Sequence, residues 1–155
     1  MHTPATSPGI RFPPPLYAAL AVLGGWLLQR RFPLPAPEGS WRWVPGALLV
    51  GAAAILMLVG ALTLRRHHTT IRPDKAATTL VQSGPYGLTR NPLYLSLALA
   101  TPGLGFLLRA PWIFILWVVV LLILDRFVIA REELHLDAVF GETYEAYKAR
   151  VRRWI

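Results

Sequence analysis

The hydrophobic positions of this chain fall into long, nearly uninterrupted blocks separated by short polar stretches, a pattern that predicts membrane-length helices and implies no sheet. Val44 to Leu64 is the clearest block. It supplies about the twenty apolar residues that a bilayer core demands, with Gly46, Gly51 and Gly60 as points where a neighbouring helix can approach closely. Pro111 to Ile129 is a second strong block, rich in Trp and Val and interrupted only by Asp125-Arg126 near its end. Between them, Pro92 to Leu108 is shorter and broken by Pro102-Gly103. The connector Arg109-Ala110-Pro111 is so short that the two flanking spans must form a tight antiparallel hairpin. Leu16 to Leu28 is the weakest block, extendable to a helix over about Pro14 to Phe32 if Arg30 and Arg31 snorkel. The expected architecture is therefore all-α and polytopic: four transmembrane helices near 14–32, 44–64, 92–108 and 111–129, followed by cytoplasmic or interfacial helices over 131–154.

Charge placement gives this arrangement an orientation. With both termini cytoplasmic, twelve of the sixteen Lys and Arg residues fall on the inside, against only Arg30, Arg31, Arg42 and Arg109 outside. Such a bias is the positive-inside rule, and it puts the loop around Gly84 and the pair Glu132-Glu133 on the same cytoplasmic side. Beyond the last span, Phe140, Tyr144, Tyr147, Val151 and Trp154 recur at four-three-four-three spacing. They predict an amphipathic helix lying on the membrane or folding back over the helix ends, with a bend at Gly141 and a helix start near Thr143.

Composition narrows the class. At 155 residues, 54% hydrophobic and 15% charged, with a mean hydropathy of +0.44, residues 1–155 read as one membrane-embedded domain. The net charge of +8 sits at the ends of apolar runs, which suits anionic lipid headgroups and argues against nucleic acid as a partner. The absence of cysteine excludes disulfides, thiolate catalysis and thiolate metal sites. Met1 to Pro15 is polar and proline-rich and reads as a flexible tail. His67-His68 is not a metal pair by spacing, because adjacent histidines point apart on a helix; a basic juxtamembrane turn accounts for it. Gly103-x-Gly105 lies within a span and reads as helix packing.

Two clusters carry candidate chemistry. Asn91 followed by Pro92 is a helix N-cap and first helical residue, so the third span should begin there with its positive dipole end facing the interface, a ready site for a carboxylate. Gly84, Pro85 and Gly87 are turn-formers that let backbone approach a ligand, and Tyr86 and Tyr94 offer aromatic faces to an adenine or a cation. A well-capped helix at a membrane surface explains the same residues without a ligand. The second cluster is Asp125, Arg126, Arg131, Glu132 and Glu133. Ionisable groups at the edge of hydrocarbon are costly, and the seven-residue spacing of Asp125 with Glu132 and of Arg126 with Glu133 puts each pair on one face of a regular helix.

Taken together, Gly-Pro-Tyr, then Arg-Asn-Pro-x-Tyr opening a span, then Glu-Glu, then Phe-Gly-x-x-Tyr-x-x-Tyr and a basic tail resemble the membrane methyltransferases of the isoprenylcysteine carboxyl methyltransferase and phospholipid N-methyltransferase superfamily. The resemblance covers roughly Leu80 to Trp154. It implies an S-adenosylmethionine-dependent enzyme with a cytoplasmic cofactor pocket between the last two spans and the C-terminal helix, and a lipophilic acceptor entering sideways from the bilayer. Carried over residue by residue, the pocket includes Gly84, Pro85, Tyr86, Arg90, Asn91, Pro92, Tyr94, Glu132 and Glu133. Carboxyl methyltransferases of this group usually have His where this chain has Asn91, whereas Asn occurs in the phospholipid branch, so the acceptor is left between a carboxylate and an amine. In this reading Glu132 or Glu133 holds the cofactor ammonium, and Arg90 or the α-helix end its carboxylate. Arg126 or Arg131 orients an anionic acceptor head, and Glu132, Glu133 or Asp125 takes the proton of an amine acceptor. The competing readings are a membrane reductase using NADPH and a non-catalytic lipid-binding protein.

Overall fold

The computed structural model describes residues 12–36, 38–67 and 79–155, and among these every regular element is helical. The tail up to Arg11 and His68 lie outside the described residues. Six α-helices follow in order: α1 Pro14–Arg31, α2 Trp43–Arg66, α3 Pro92–Leu107, α4 Pro111–Ile123, α5 Ala130–Phe140 and α6 Glu142–Arg150. Short 3-10 turns at Ser40–Arg42 and Gly84–Gly87 precede α2 and α3. Proline occupies the first turn of α1, α3 and α4, where its missing N–H costs nothing and its fixed φ favours helix.

α4 and α5 are one continuous helix joined through a π segment, Leu124–Ile129, so the helix that opens at Pro111 runs 30 residues to Phe140. The helix thus continues without a break past Ile129, where the sequence suggested that the span ends, into the segment from 131. Two helices are long and apolar enough to cross a membrane, Ser40–Arg66 and Pro111–Phe140, with mean hydropathies of 2.5 and 2.7; Pro92–Leu107 is apolar and shorter. Their apolar side chains point outward: Leu48, Ile55 and Leu58 on α2 are 67%, 66% and 60% exposed, a surface that hydrocarbon would cover.

α2 and α3 pack closely because glycine clears the crossing. A Cβ on Gly46 would come within 2.5 Å of Leu107 and one on Gly103 within 2.9 Å of Val50, while Gly60 faces Leu93. Gly51, expected to serve the same purpose, has nothing within 4 Å of its Cβ position and faces away from the other helices. α1 lies against α4, where Gly25 abuts Ile113. Pro102 removes the N–H that would have bonded the Ala98 carbonyl, and the Trp117 indole of α4 replaces it at 2.8 Å. The α3–α4 connection is as tight as its sequence demands. Ala110 N–H bonds Gly105 O at 3.1 Å and Arg109 N–H bonds Phe106 O at 3.3 Å, the paired bonds of a Schellman end, with Arg109 at φ 52° in the position glycine usually fills.

These contacts sort the helix ends. Gly25 with Ile113, Gly46 with Leu107, and the Trp112 indole on Phe32 O (2.8 Å) gather one end of the bundle, which carries Arg30, Arg31, Arg42 and Arg109 and an edge-on aromatic series of Trp41, Phe106 and Phe114. The start of α3, the end of α2, α5, α6 and the C-terminal residues gather the other.

The expected amphipathic C-terminal helix is differently built. Gly141, at φ 51°, breaks it, α6 starts at Glu142 and ends at Arg150, and Val151–Ile155 are not helical. Tyr144, Tyr147 and Val151 are buried together with Leu80, Leu136 and Phe140 at their edge, so the apolar stripe faces protein. Trp154 leaves that stripe and packs against the cluster containing Tyr94 and Leu124.

Candidate functional site

At the end of the bundle opposite Arg109, three elements converge: the Gly84–Asn91 loop with the first turn of α3, the π segment and first turn of α5, and the C-terminal residues Val151–Ile155. The loop is shaped by Gly84, whose φ of 58° suits glycine, and by the 3-10 turn that buries Pro85 and Tyr86. The buried Tyr147 hydroxyl donates to Tyr86 O at 2.6 Å, fastening α6 onto the turn. Burial pushes the Tyr147 phenol up to about 12, so it remains a donor at any physiological pH. Burial also raises the Tyr86 phenol well above the ordinary value, helped by the negative charge of nearby Glu132; for Tyr144 the causes are burial and then Glu133.

Asn91 is positioned as the N-cap of α3 but makes no side-chain cap. Its side-chain amide donates instead to the Arg153 carbonyl at 3.0 Å, a carbonyl that also accepts from Thr89 Oγ1 at 3.0 Å. Arg90 N–H bonds Arg152 O at 3.0 Å, so residues 89–91 and 152–153 are stitched together. The expected capping bond is thereby corrected: a competing tertiary acceptor has taken the Asn91 amide, and the N–H groups of the first turn of α3 have no side-chain cap.

The two glutamates diverge. Glu132 Oε2 accepts from the buried Tyr94 hydroxyl at 2.7 Å, and among the described residues no Lys or Arg lies within ion-pair distance of it. Glu133 is gripped from two sides, by Arg90 Nη2 at 3.2 Å and by Arg153 through Nε at 3.2 Å and Nη2 at 2.5 Å. Arg153 reaches on to Asp125 Oδ1 at 3.1 Å, where the Trp154 indole also donates at 2.9 Å. These two carboxylates raise the pKa of Arg153, the hydrogen bond to Glu133 contributing most. Arg90 is only 12% exposed, and its Nε and Nη1 have no partner among the described residues.

The pairing that a regular helix would impose, Asp125 with Glu132, does not occur. Asp125 and Glu133, eight apart, share Arg153, because a π turn holds one residue more than an α turn and rotates the register between them. Of the expected site residues, Pro85, Tyr86, Arg90, Asn91, Pro92, Tyr94, Glu132 and Glu133 meet at this end, while Gly84 and Gly87 are exposed in the turn that leads into it. Arg126 and Arg131 are exposed and outside the convergence; Arg126 forms an ion pair with Asp125 at 3.5 Å. Arg153, Trp154 and Thr89 belong to the cluster and were not expected as site residues; Trp154 was expected only as part of the apolar stripe. In one dimension Arg153 is one of four cationic residues in a basic tail.

Residues 41–143 match the phospholipid methyltransferase family, two thirds of the chain, so the chain belongs to the phospholipid methyltransferase family, as the motif resemblance implied. An uncharacterised protein of Haemophilus influenzae is 45% identical over 38 residues, covering 24% of this chain and 60% of that protein. No solved structure matches.

Proposed function

We propose that the convergence of loop, π segment and C-terminus is an S-adenosylmethionine site, and that the chain methylates a lipid acceptor from it. The observation that carries this reading is the unequal pairing of adjacent glutamates beside an arginine with donors to spare. Glu132, without a cation of its own among the described residues, holds the cofactor ammonium. Arg90 Nε and Nη1, with the uncapped first turn of α3, hold its carboxylate. Tyr86 and Tyr94 line the same end and offer faces to a sulfonium and an adenine. Asp125 and Glu133 are each held by guanidiniums, and Glu132 is the carboxylate of the three with no ion pair among the described residues, which suits a cofactor whose ammonium and sulfonium outnumber its carboxylate.

Bound there, S-adenosylmethionine supplies an electrophilic methyl group. The residues supply position, which is the larger part of an in-line displacement. Glu133, gripped from both sides, keeps Arg90 aimed. Asp125 is likewise held by Arg153, Arg126 and Trp154, so Glu132, with no ion pair among the described residues, is the carboxylate that can take the proton an amine head gives up on methylation. The family match and Asn91 favour an amine over a carboxylate head, and exposed Arg126 and Arg131 suit the phosphate of a phospholipid. We place this end on the cytoplasmic face of a four-span protein, on the strength of the twelve-to-four charge distribution.

Calorimetric titration of the purified protein with S-adenosylmethionine and with NADPH tests the reading. Binding of the former, lost in Glu132→Gln, is expected. Binding of NADPH alone, or wild-type affinity in both Glu132→Gln and Glu133→Gln, overturns it.

A further inference from the structure

Along the flank of the bundle, α1 and α3 leave between them a groove of about 510 Å³. One stripe of each helix lines it: Ala18, Val22 and Trp26 from α1, and Leu97, Thr101 and Leu104 from α3. The one hydroxyl in the lining has no proton to spare for a ligand, because Thr101 Oγ1 donates to Leu97 O at 2.8 Å. Alanines at three lining positions keep the floor low where larger side chains would fill it. From Pro15 to Trp26 the groove extends about 16 Å at the helical rise.

Its direction is fixed by the helix ends. The end of α1 lies against the start of α4, and α4 turns straight back from α3, so α1 and α3 run the same way. One end of the groove therefore opens at the glutamate end of the bundle. There Tyr17 and Leu97 pack in the same apolar cluster as Tyr94, whose hydroxyl binds Glu132.

We infer that the α1–α3 groove holds a hydrocarbon chain of the lipid acceptor, with the ionisable head delivered to the Tyr94–Glu132 end. This rests on the methyltransferase reading above. Continuity with Tyr94 and Glu132 distinguishes the groove from the outer face of α2, which is equally apolar but ends at Arg65 and Arg66. Its mouth carries the Tyr94 hydroxyl and the Glu132 carboxylate, polar groups that can meet an ionisable head.

The test uses the full chain in phosphatidylcholine nanodiscs with two photoreactive phosphatidylethanolamines, one carrying a diazirine at the far end of an acyl chain and one near the head. Far-end label is expected on Trp26, Leu104 and Leu108, and near-head label on Ala18 and Leu97. Excess unlabelled phosphatidylethanolamine should suppress both, and excess phosphatidylcholine should not. Filling the groove with Ala19→Trp and Ala100→Leu should lower far-end labelling about tenfold, what the lost burial of two methylenes would cause. S-adenosylmethionine affinity should be unchanged in that variant. Labelling as strong on Leu48, Ile55 and Leu58 as in the groove, or equal suppression by phosphatidylcholine, means bulk lipid only and overturns the inference. Loss of cofactor binding in the wild type with groove labelling intact would instead remove the methyltransferase reading.

Discussion

Glu132 and Glu133 carry the same side chain at consecutive positions, yet two guanidiniums meet one and a tyrosine hydroxyl meets the other. On a helix they point about 100° apart, so different partners are expected; which partners depends on where Arg90 and Arg153 arrive. Charge-removing, near-isosteric changes should therefore separate. Glu132→Gln should abolish S-adenosylmethionine binding with a small effect on melting temperature. Glu133→Gln should lower stability by about 2–3 kcal/mol by leaving Arg90 unpaired, Arg153 retaining Asp125, with a weaker effect on binding. Calorimetry and thermal unfolding of the two variants check both expectations. Asn91 illustrates the same dependence on partners. Its side chain stitches the α3 entrance to Arg153 O, which Thr89 also serves, so Asn91→Ala should cost about 1 kcal/mol, and the Thr89→Val/Asn91→Ala pair should cost more than the sum of the single changes. Additive losses in that cycle would mean that the two donors do not back each other up.

Among the elements, α3 shows how a local defect is repaired by a neighbour. Pro102 orphans the Ala98 carbonyl, and Trp117 of α4 supplies the missing donor. Trp117→Phe should destabilise by about 1–2 kcal/mol, and by less in a Pro102→Ala background, where the restored N–H bonds Ala98 O itself. A double-mutant cycle in unfolding free energy measures this; zero coupling would remove the repair account. The turn that follows carries Arg109 in a left-handed conformation at the position where a Schellman end favours glycine. Arg109→Gly should raise stability by about 0.5–1 kcal/mol, the relief of side-chain crowding exceeding the added chain entropy. The π segment is the third such element: restoring a regular helix there would return Asp125 to the face of Glu132 and take it from Arg153.

Across the whole molecule, the helix ends divide into one carrying Arg30, Arg31, Arg42 and Arg109 and one carrying the candidate site. The chain has no cysteine, so a single introduced cysteine is an unambiguous reporter. With the four-span, site-inside orientation proposed above, Ser40→Cys should react with a membrane-impermeant thiol reagent in intact cells, and Thr79→Cys should react only after permeabilisation. The reverse pattern would put the site on the other face.

Helix class and near-exact helix starts were legible in one dimension because they depend on local causes: apolar run length, proline at the first turn, a three-residue connector and Gly141 at the break. The motif residues of the loop and the glutamate pair were legible as well, since their spacing is a local pattern. Three facts were not. Asn91 reads as a cap until a carbonyl 62 residues away takes its amide. The seven-residue spacing of Asp125 and Glu132 reads as one face until the π segment changes the register. Arg153 reads as tail charge until the turn at Val151 brings it between Asp125 and Glu133. The sequence by itself determined the helices and the chemical types available at one end of the bundle. Only the tertiary structure decided which carboxylate is left without a cation among the described residues, because a hydrogen bond or ion pair goes to whichever partner folding brings within about 3 Å.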